Sequence, residues 1–177
     1  MSSTDDERTS NLLGALALGV VDAFSTVIAS GAGFSGETPA ALVTLGVEPG
    51  LSINQLRHIL HLSHPGTVRL IDRLADEGLV ERRSGTDGRT LALFLTPKGL
   101  ERRQIILSER QQQLQLALSG LNFDERRQLT RLLEKMLTAM TTTELRAFTL
   151  CRLCEEEVCP GDRCPVEQQY CRMINHE

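Results

Sequence analysis

Tryptophan is absent from this sequence, tyrosine occurs once, and aromatic residues make up 3% of the chain. Strands of a sheet-rich sandwich favour aromatic and β-branched residues, so this composition argues against one. Positive charge is scarce at the start: residues 1–50 hold one basic group against six acidic ones. A secretory signal begins with positive charge, whereas MSSTDDERTS is acidic and polar, so no signal peptide is expected. The apolar run from Leu12 to Ala29 is interrupted by Asp22 and diluted by Gly14 and Gly19, with no Lys or Arg cluster at its C-terminal flank. It reads as a packed helix, and no membrane is expected as a partner. There is no Gly-rich phosphate loop, no HExxH and no nucleophile elbow, so an enzyme is not expected. Internal repeats and low-complexity linkers are also missing. The first 150 residues contain no cysteine, yet the final 27 contain all five.

What is present fits a helical protein. The 177 residues suffice for one domain with a core and a small tail, and 41% of them are hydrophobic, chiefly Leu and Ala. The net charge of −4 is unevenly spread. Residues 51–103 carry nine basic and six acidic groups, while residues 151–177 carry three and six. A basic block inside an acidic chain is what a polyanion would meet. A cytoplasmic location is expected, which favours cysteines as ligands over cysteines in disulfides.

The apolar spacing predicts a first helix over residues 10–30, through Leu12, Leu16, Val20, Phe24 and Val27. Leu13, Ala17, Val21 and Ile28 widen its face so far that it needs more than one packing partner, and a second subunit is the natural candidate. After GAGFSGET, Thr38 is expected to cap a short helix with Pro39 in its first position. Ser52 and Gln55 form a capping box for SINQLRHIL, and Ser63 caps a second short helix with Pro65 in its first turn. Thr67, Leu70, Ile71, Leu74 and Leu79 trace its core face, and Gly78 ends it. Two short helices with a tight turn make a helix-turn-helix. The period then changes to the alternation of Leu91, Leu93 and Leu95 across Gly85, Asp87 and Gly88, a two-stranded hairpin that forms a wing. Pro97 ends the hairpin, a helix runs on to Gly120, and Asn122 with Glu125 caps another through Leu129, Leu132, Leu133, Met136 and Met140.

These residues carry a resemblance. SHPGTVRLIDRLADEGLVER, followed by GTDGRTLALFLTPKG, resembles the winged helix of MarR-family transcription regulators, most specifically in Asp87-x-Arg89 and LTPKG. The likeness extends over about residues 10–145 and leaves the tail outside. It implies a homodimer, joined through its first and last helices, on a near-palindromic operator of double-stranded DNA. It also implies release when a small, often aromatic, effector binds beside the dimer interface.

A recognition helix offers its N-terminal residues to base edges with its positive dipole end near phosphates. Here those residues are Ser63, His64, Pro65, Gly66 and Val68, with Arg69 placed for guanine or phosphate and Arg73 for the backbone. Arg82 and Arg83 stand at the base of the wing. Arg89 at its tip is placed for a narrow minor groove, braced by Asp87. His58, His61 and His64 fall within seven residues, but polar helix surface accounts for them better than a metal site does.

The tail spacing is Cys151-x2-Cys154-x4-Cys159-x4-Cys164, with Cys171 further on. The odd count and the expected compartment disfavour a disulfide framework. Clustering in a polar tail, which cannot build a core alone, favours a metal. The pattern resembles the compact zinc knuckle, with Cys159 in the place of its histidine. Zn2+ in a closed four-thiolate site is the first reading, and an iron–sulfur cluster on the same thiolates is the alternative. Either site is structural or senses metal or redox state. Cys171 is expected to be a bystander.

The expected fold is mainly α: a winged helix-turn-helix (51–96) between flanking helices (10–50 and 97–150) that form a helical dimerisation domain. A disordered N-terminus (1–9) and a cysteine-rich metal-binding tail (151–177) complete it. The expected function is sequence-specific DNA-binding regulation by a homodimer, in the repressor sense. The alternative is a protein-interaction adaptor whose winged helix does not bind DNA.

Overall fold

The computed structural model describes residues 3–31, 33–34, 36–84 and 91–175. Its elements follow the order α1 (Ser3–Gly31), α2 (Thr38–Val47), α3 (Ile53–Ile59), α4 (His64–Asp76), β1 (Val80–Ser84), β2 (Leu91–Leu95), α5 (Pro97–Ala117), α6 (Phe123–Met140), α7 (Glu144–Cys151) and α8 (Pro165–Ile174). The mainly α class and the winged helix are as expected. α1 begins at Ser3, so the N-terminal segment expected to be disordered is helical from that residue on. Asp5 and Asp6 occupy its first turn, where carboxylates favour the positive end of the helix dipole.

α2 lies at the centre of the core, with Ala41, Leu42 and Val43 fully enclosed. Around it pack Leu56 of α3, Ile71 and Leu74 of α4, Leu79, Leu93 of β2, and Ile106 and Leu107 of α5. Pro39 stands in the first turn of α2 as expected, but Thr38 is not its cap. Glu37 holds the N-cap position without a side-chain bond, and the buried Thr38 hydroxyl instead accepts a hydrogen bond from Arg73 Nη2 at 3.1 Å.

The helix-turn-helix is built by local chemistry. Ser52 and Gln55 close their reciprocal capping box at the start of α3. Ser63 Oγ accepts from the Gly66 amide at 3.2 Å to start α4. Thr67, Leu70, Ile71 and Leu74 are the buried stripe of α4, and Gly78 takes the left-handed φ of 69° that turns the chain into β1. β1 and β2 pair antiparallel with Val80 opposite Leu95 and Arg82 opposite Leu93. Of the three alternating leucines, Leu93 is fully buried, Leu95 is half-buried and Leu91 is exposed, because the outer half of the hairpin projects beyond the body. A backbone bridge from Ser52 to Ala92 ties the hairpin to the start of α3.

The tail folds further than its composition suggested. α7 and α8 form, α8 packing on α6 and α7 on α8 and α3, with Ala147, Cys164 and Val166 enclosed beside Leu137, Leu150 and Tyr170. The long helices behave differently. α1 is long and apolar enough, by length and composition, to cross a bilayer, and only 6% of its most apolar window is buried within the chain. No residue of α6 is buried either. Leu12, Leu13, Leu16 and Leu18 on α1, and Leu132, Leu133, Met136 and Met140 on α6, are exposed.

Candidate nucleic-acid interface and cysteine cavity

The buried stripe of α4 leaves the opposite face free. Ser63, His64, Pro65, Arg69 and Arg73 are exposed along it, and Gly66 and Val68 are half-buried. Pro65 costs no hydrogen bond at this position because first-turn amides have no partner within the helix. The remaining first-turn amides, apart from the one capped by Ser63, give the helix a positive tip on the solvent side. His61, between α3 and α4, adopts a left-handed φ of 54°, and the Leu62 amide donates to the Arg57 carbonyl at 2.9 Å to close the turn. That turn sets the angle at which α4 leaves α3.

The structure gives the expected arginines different tethers. Among the described residues Arg69 has no hydrogen bond or ion pair, so its guanidinium is free to reach outward. Arg73 is held by Thr38. Arg82 of β1 pairs with Asp72 of α4 at 2.5 Å, a surface contact between the base of the wing and the helix. Arg83 pairs with Glu81 and lies over the Phe94 ring, 4.4 Å from its centroid. Asp87 and Arg89 lie outside the described residues. Sequence reasoning missed Asp72 as a partner of Arg82, because no local pattern links a helix face to a strand ten positions away.

In the tail, Cys151, Cys154, Cys159 and Cys164 line one cavity of about 210 Å³ together with Val47, Glu156 and Glu167. Three consecutive turns bring them there. The Cys154 amide donates to the Cys151 carbonyl at 2.8 Å, the Cys159 amide to Glu155 at 3.2 Å, and the Cys164 amide to Pro160 at 2.8 Å. All five cysteines are free thiols. Cys171 lies apart from the cavity, with Glu167 Oε1 as its neighbour at 3.7 Å.

The thiols perturb one another. A hydrogen bond from Cys151 stabilises the Cys154 thiolate, and Arg110 assists against the opposing effect of burial, so that Cys154 is lowered to about 6. The same hydrogen bond, with burial and the charge of Cys154, pushes Cys151 far up. Burial and then the neighbouring Cys164 raise Cys159 to about 11. Among the described residues no group of three or more His, Cys, Asp and Glu side chains is gathered tightly enough to hold a metal ion as it stands. The four thiols thus share a cavity without converging on one point. Thiolates are suited to soft cations, and the two carboxylates on the rim add negative charge.

Sequence reasoning also missed the two residues between the first cysteine pair. Arg152 and Leu153 line a second cavity, of about 230 Å³, against Phe24 and Ile28 of α1, Phe34, and Pro39 of α2.

Comparison with known proteins places this geometry. The MarR family model matches residues 32–90, a third of the chain, which include α2, α3, α4 and β1 and end before β2. Solved structures share the fold. A MarR family protein from Bacillus stearothermophilus aligns over 80% of this chain and 99% of its own, with TM-score 0.72 and 22% identity. MepR, a transcription regulator of the Staphylococcus aureus multidrug efflux pump MepA, aligns over 73% and 96%, with TM-score 0.65 and 21% identity. A Mycobacterium tuberculosis MarR family protein in complex with p-aminosalicylic acid aligns over 72% and 96%, with TM-score 0.60 and 23% identity. No curated protein sequence matches the chain.

Proposed function

We propose that this chain, whose winged helix is that of the MarR family, acts as a homodimeric, sequence-specific DNA-binding repressor. The observation that carries the reading is the solvent face of α4. It has a positive tip, an Arg69 with no partner among the described residues, and a hairpin placed beside it with Arg82 paired to Asp72. That arrangement suits a helix seated in a major groove with a wing over the adjacent backbone. Gly66 allows close approach, Val68 suits a thymine methyl, and Arg69 suits a guanine edge.

The second subunit is supported by the exposed leucines and methionines of α1 and α6, which lie on the long helices that flank the winged helix. A second copy would bury both stripes and double every DNA contact. The apolar cavity between α1 and α2 suits a small effector, in keeping with the complex of the Mycobacterium tuberculosis relative. The tail adds a four-thiolate metal site on Cys151, Cys154, Cys159 and Cys164. Zn2+ is the first reading, because it accepts a closed tetrahedral set of thiolates. An iron–sulfur cluster is the second.

Selection of duplexes from random sequence, followed by affinity measurement, tests the DNA reading. The chain should enrich a near-palindrome, and Arg69→Ala should weaken binding by about 1–3 kcal/mol per contact while leaving the melting temperature unchanged. An adaptor that does not bind DNA would enrich nothing and would be indifferent to that substitution.

A further inference from the structure

We propose that a Zn2+ ion on Cys151, Cys154, Cys159 and Cys164 holds Arg152 and Leu153 in place as one wall of the apolar cavity between α1 and α2. The inference rests on the four-thiolate reading of the tail and extends it from a local clip to control of a binding cavity.

Cys151 and Cys154 bracket two residues, and those two are the tail's contribution to the lining of that cavity. The two cavities therefore share a wall four residues long, with thiols facing one side and Arg152 and Leu153 facing the other. The segment is also fixed to α2. Thr44 Oγ1 donates to the Arg152 carbonyl at 3.4 Å, and Val47, one turn on, borders the thiols. Leu153 packs against the main core. Arg152 Nη1 donates to the Thr149 carbonyl at 2.6 Å, which draws its guanidinium back along α7.

Without a metal this wall is held by Leu153 in the main core and by a few polar contacts at its edge. The bond to Thr44 is long, and the one described ion pair between the tail and α5, Arg103 to Glu156, spans 3.6 Å and leaves the carboxylate half exposed. Such contacts stabilise little. Four Zn–S bonds would replace them with a rigid node. Thiols still protonated release their protons to solvent on binding, and Zn2+ with four thiolates makes a site of net charge two minus. Arg110 and Arg163, which already face Cys154 and Cys159, stand beside that charge. Ligation at both Cys151 and Cys154 pins the ends of the intervening dipeptide, so the position of Leu153 in the cavity becomes a function of metal occupancy.

Two measurements on the full chain test this. The first is metal content, read as Zn2+ released to a chromogenic chelator when a mercurial blocks the thiols, and as the thiolate-to-metal absorption of the Co2+-exchanged chain. Stoichiometric binding is expected, with loss in Cys154→Ser or Cys159→Ser and retention in Cys171→Ser. The second is amide hydrogen exchange of the peptides covering Arg152, Leu153 and α2, with and without metal. Metal removal should speed exchange roughly tenfold or more in both, as expected when a local closing contact is lost. Leu153→Ala should bind Zn2+ normally yet exchange as fast as the metal-free protein in α2. A chain that binds no metal, or that carries iron and sulfide, overturns the zinc site. Normal Zn2+ binding with α2 exchange unchanged on removal leaves the site standing and overturns the wall.

Discussion

Arg69 and Arg73 stand one turn apart on α4 and are both exposed, yet they belong to different tasks. Arg73 donates to the buried Thr38 hydroxyl and so joins α4 to α2. Arg73→Ala should therefore lower stability by about 1 kcal/mol, the net worth of such a bond, in a denaturant titration, whereas Arg69→Ala should not. Glu48 offers a second residue-level test. Burial, and then Glu167 and Glu156, raise its pKa above the ordinary carboxylate value. The fold then prefers the protonated acid, so the ionised form costs stability above the raised pKa, and the cost vanishes below the unfolded value. Glu48→Gln should raise the melting temperature at neutral pH, and the gain should fade as pH falls through the window between those two values. At this scale the caps at Ser52, Ser63 and Asn122 were legible in the sequence, because each is closed by a residue three positions on. Arg73–Thr38 and Arg82–Asp72 were not, since only the folded chain brings those partners together.

At the scale of elements, the entry of α5 is the tightest junction in the winged helix. Thr96 caps it through the Gly99 amide and donates to the Gly78 carbonyl at 2.7 Å, while Lys98 Nζ donates to the Glu77 carbonyl at 2.7 Å. A Cβ on Gly99 would strike the Leu79 carbonyl oxygen, which is backbone and cannot move aside. Gly99→Ala should cost roughly 1–3 kcal/mol, the usual penalty of overpacking, measured by denaturant titration. Gly46→Ala is the contrast, since its Cβ meets only the flexible Arg103 side chain. Its cost should be smaller. These contacts give LTPKG a physical meaning: it is the hinge where the wing returns to the body. Helix-turn-helix, wing and long helices were all readable from period and punctuation. α7 and α8 were not, because their apolar residues are few and gain burial only once α3, α6 and the two helices themselves come together.

The whole molecule is a winged helix held between long helices that find too little to bury themselves against. α1 shows this most plainly, being apolar over most of its length and almost unburied within one chain. Its sequence announced that excess, but no single chain can supply the partner that would absorb it. Leu16→Glu should convert a dimer to a monomer in sedimentation velocity and should abolish tight operator binding, because a lone protomer makes only half the phosphate contacts. α7, which ends at the first cysteine of the tail, packs on α3. In the proposed function, two recognition helices, each with its hairpin, grip one duplex together. A titration of a selected palindromic duplex with the chain over a range of salt concentrations checks this. Two chains per duplex are expected, with an affinity that falls linearly, on logarithmic axes, with rising salt. A chain that remained a monomer and left every duplex unbound at low ionic strength would contradict it.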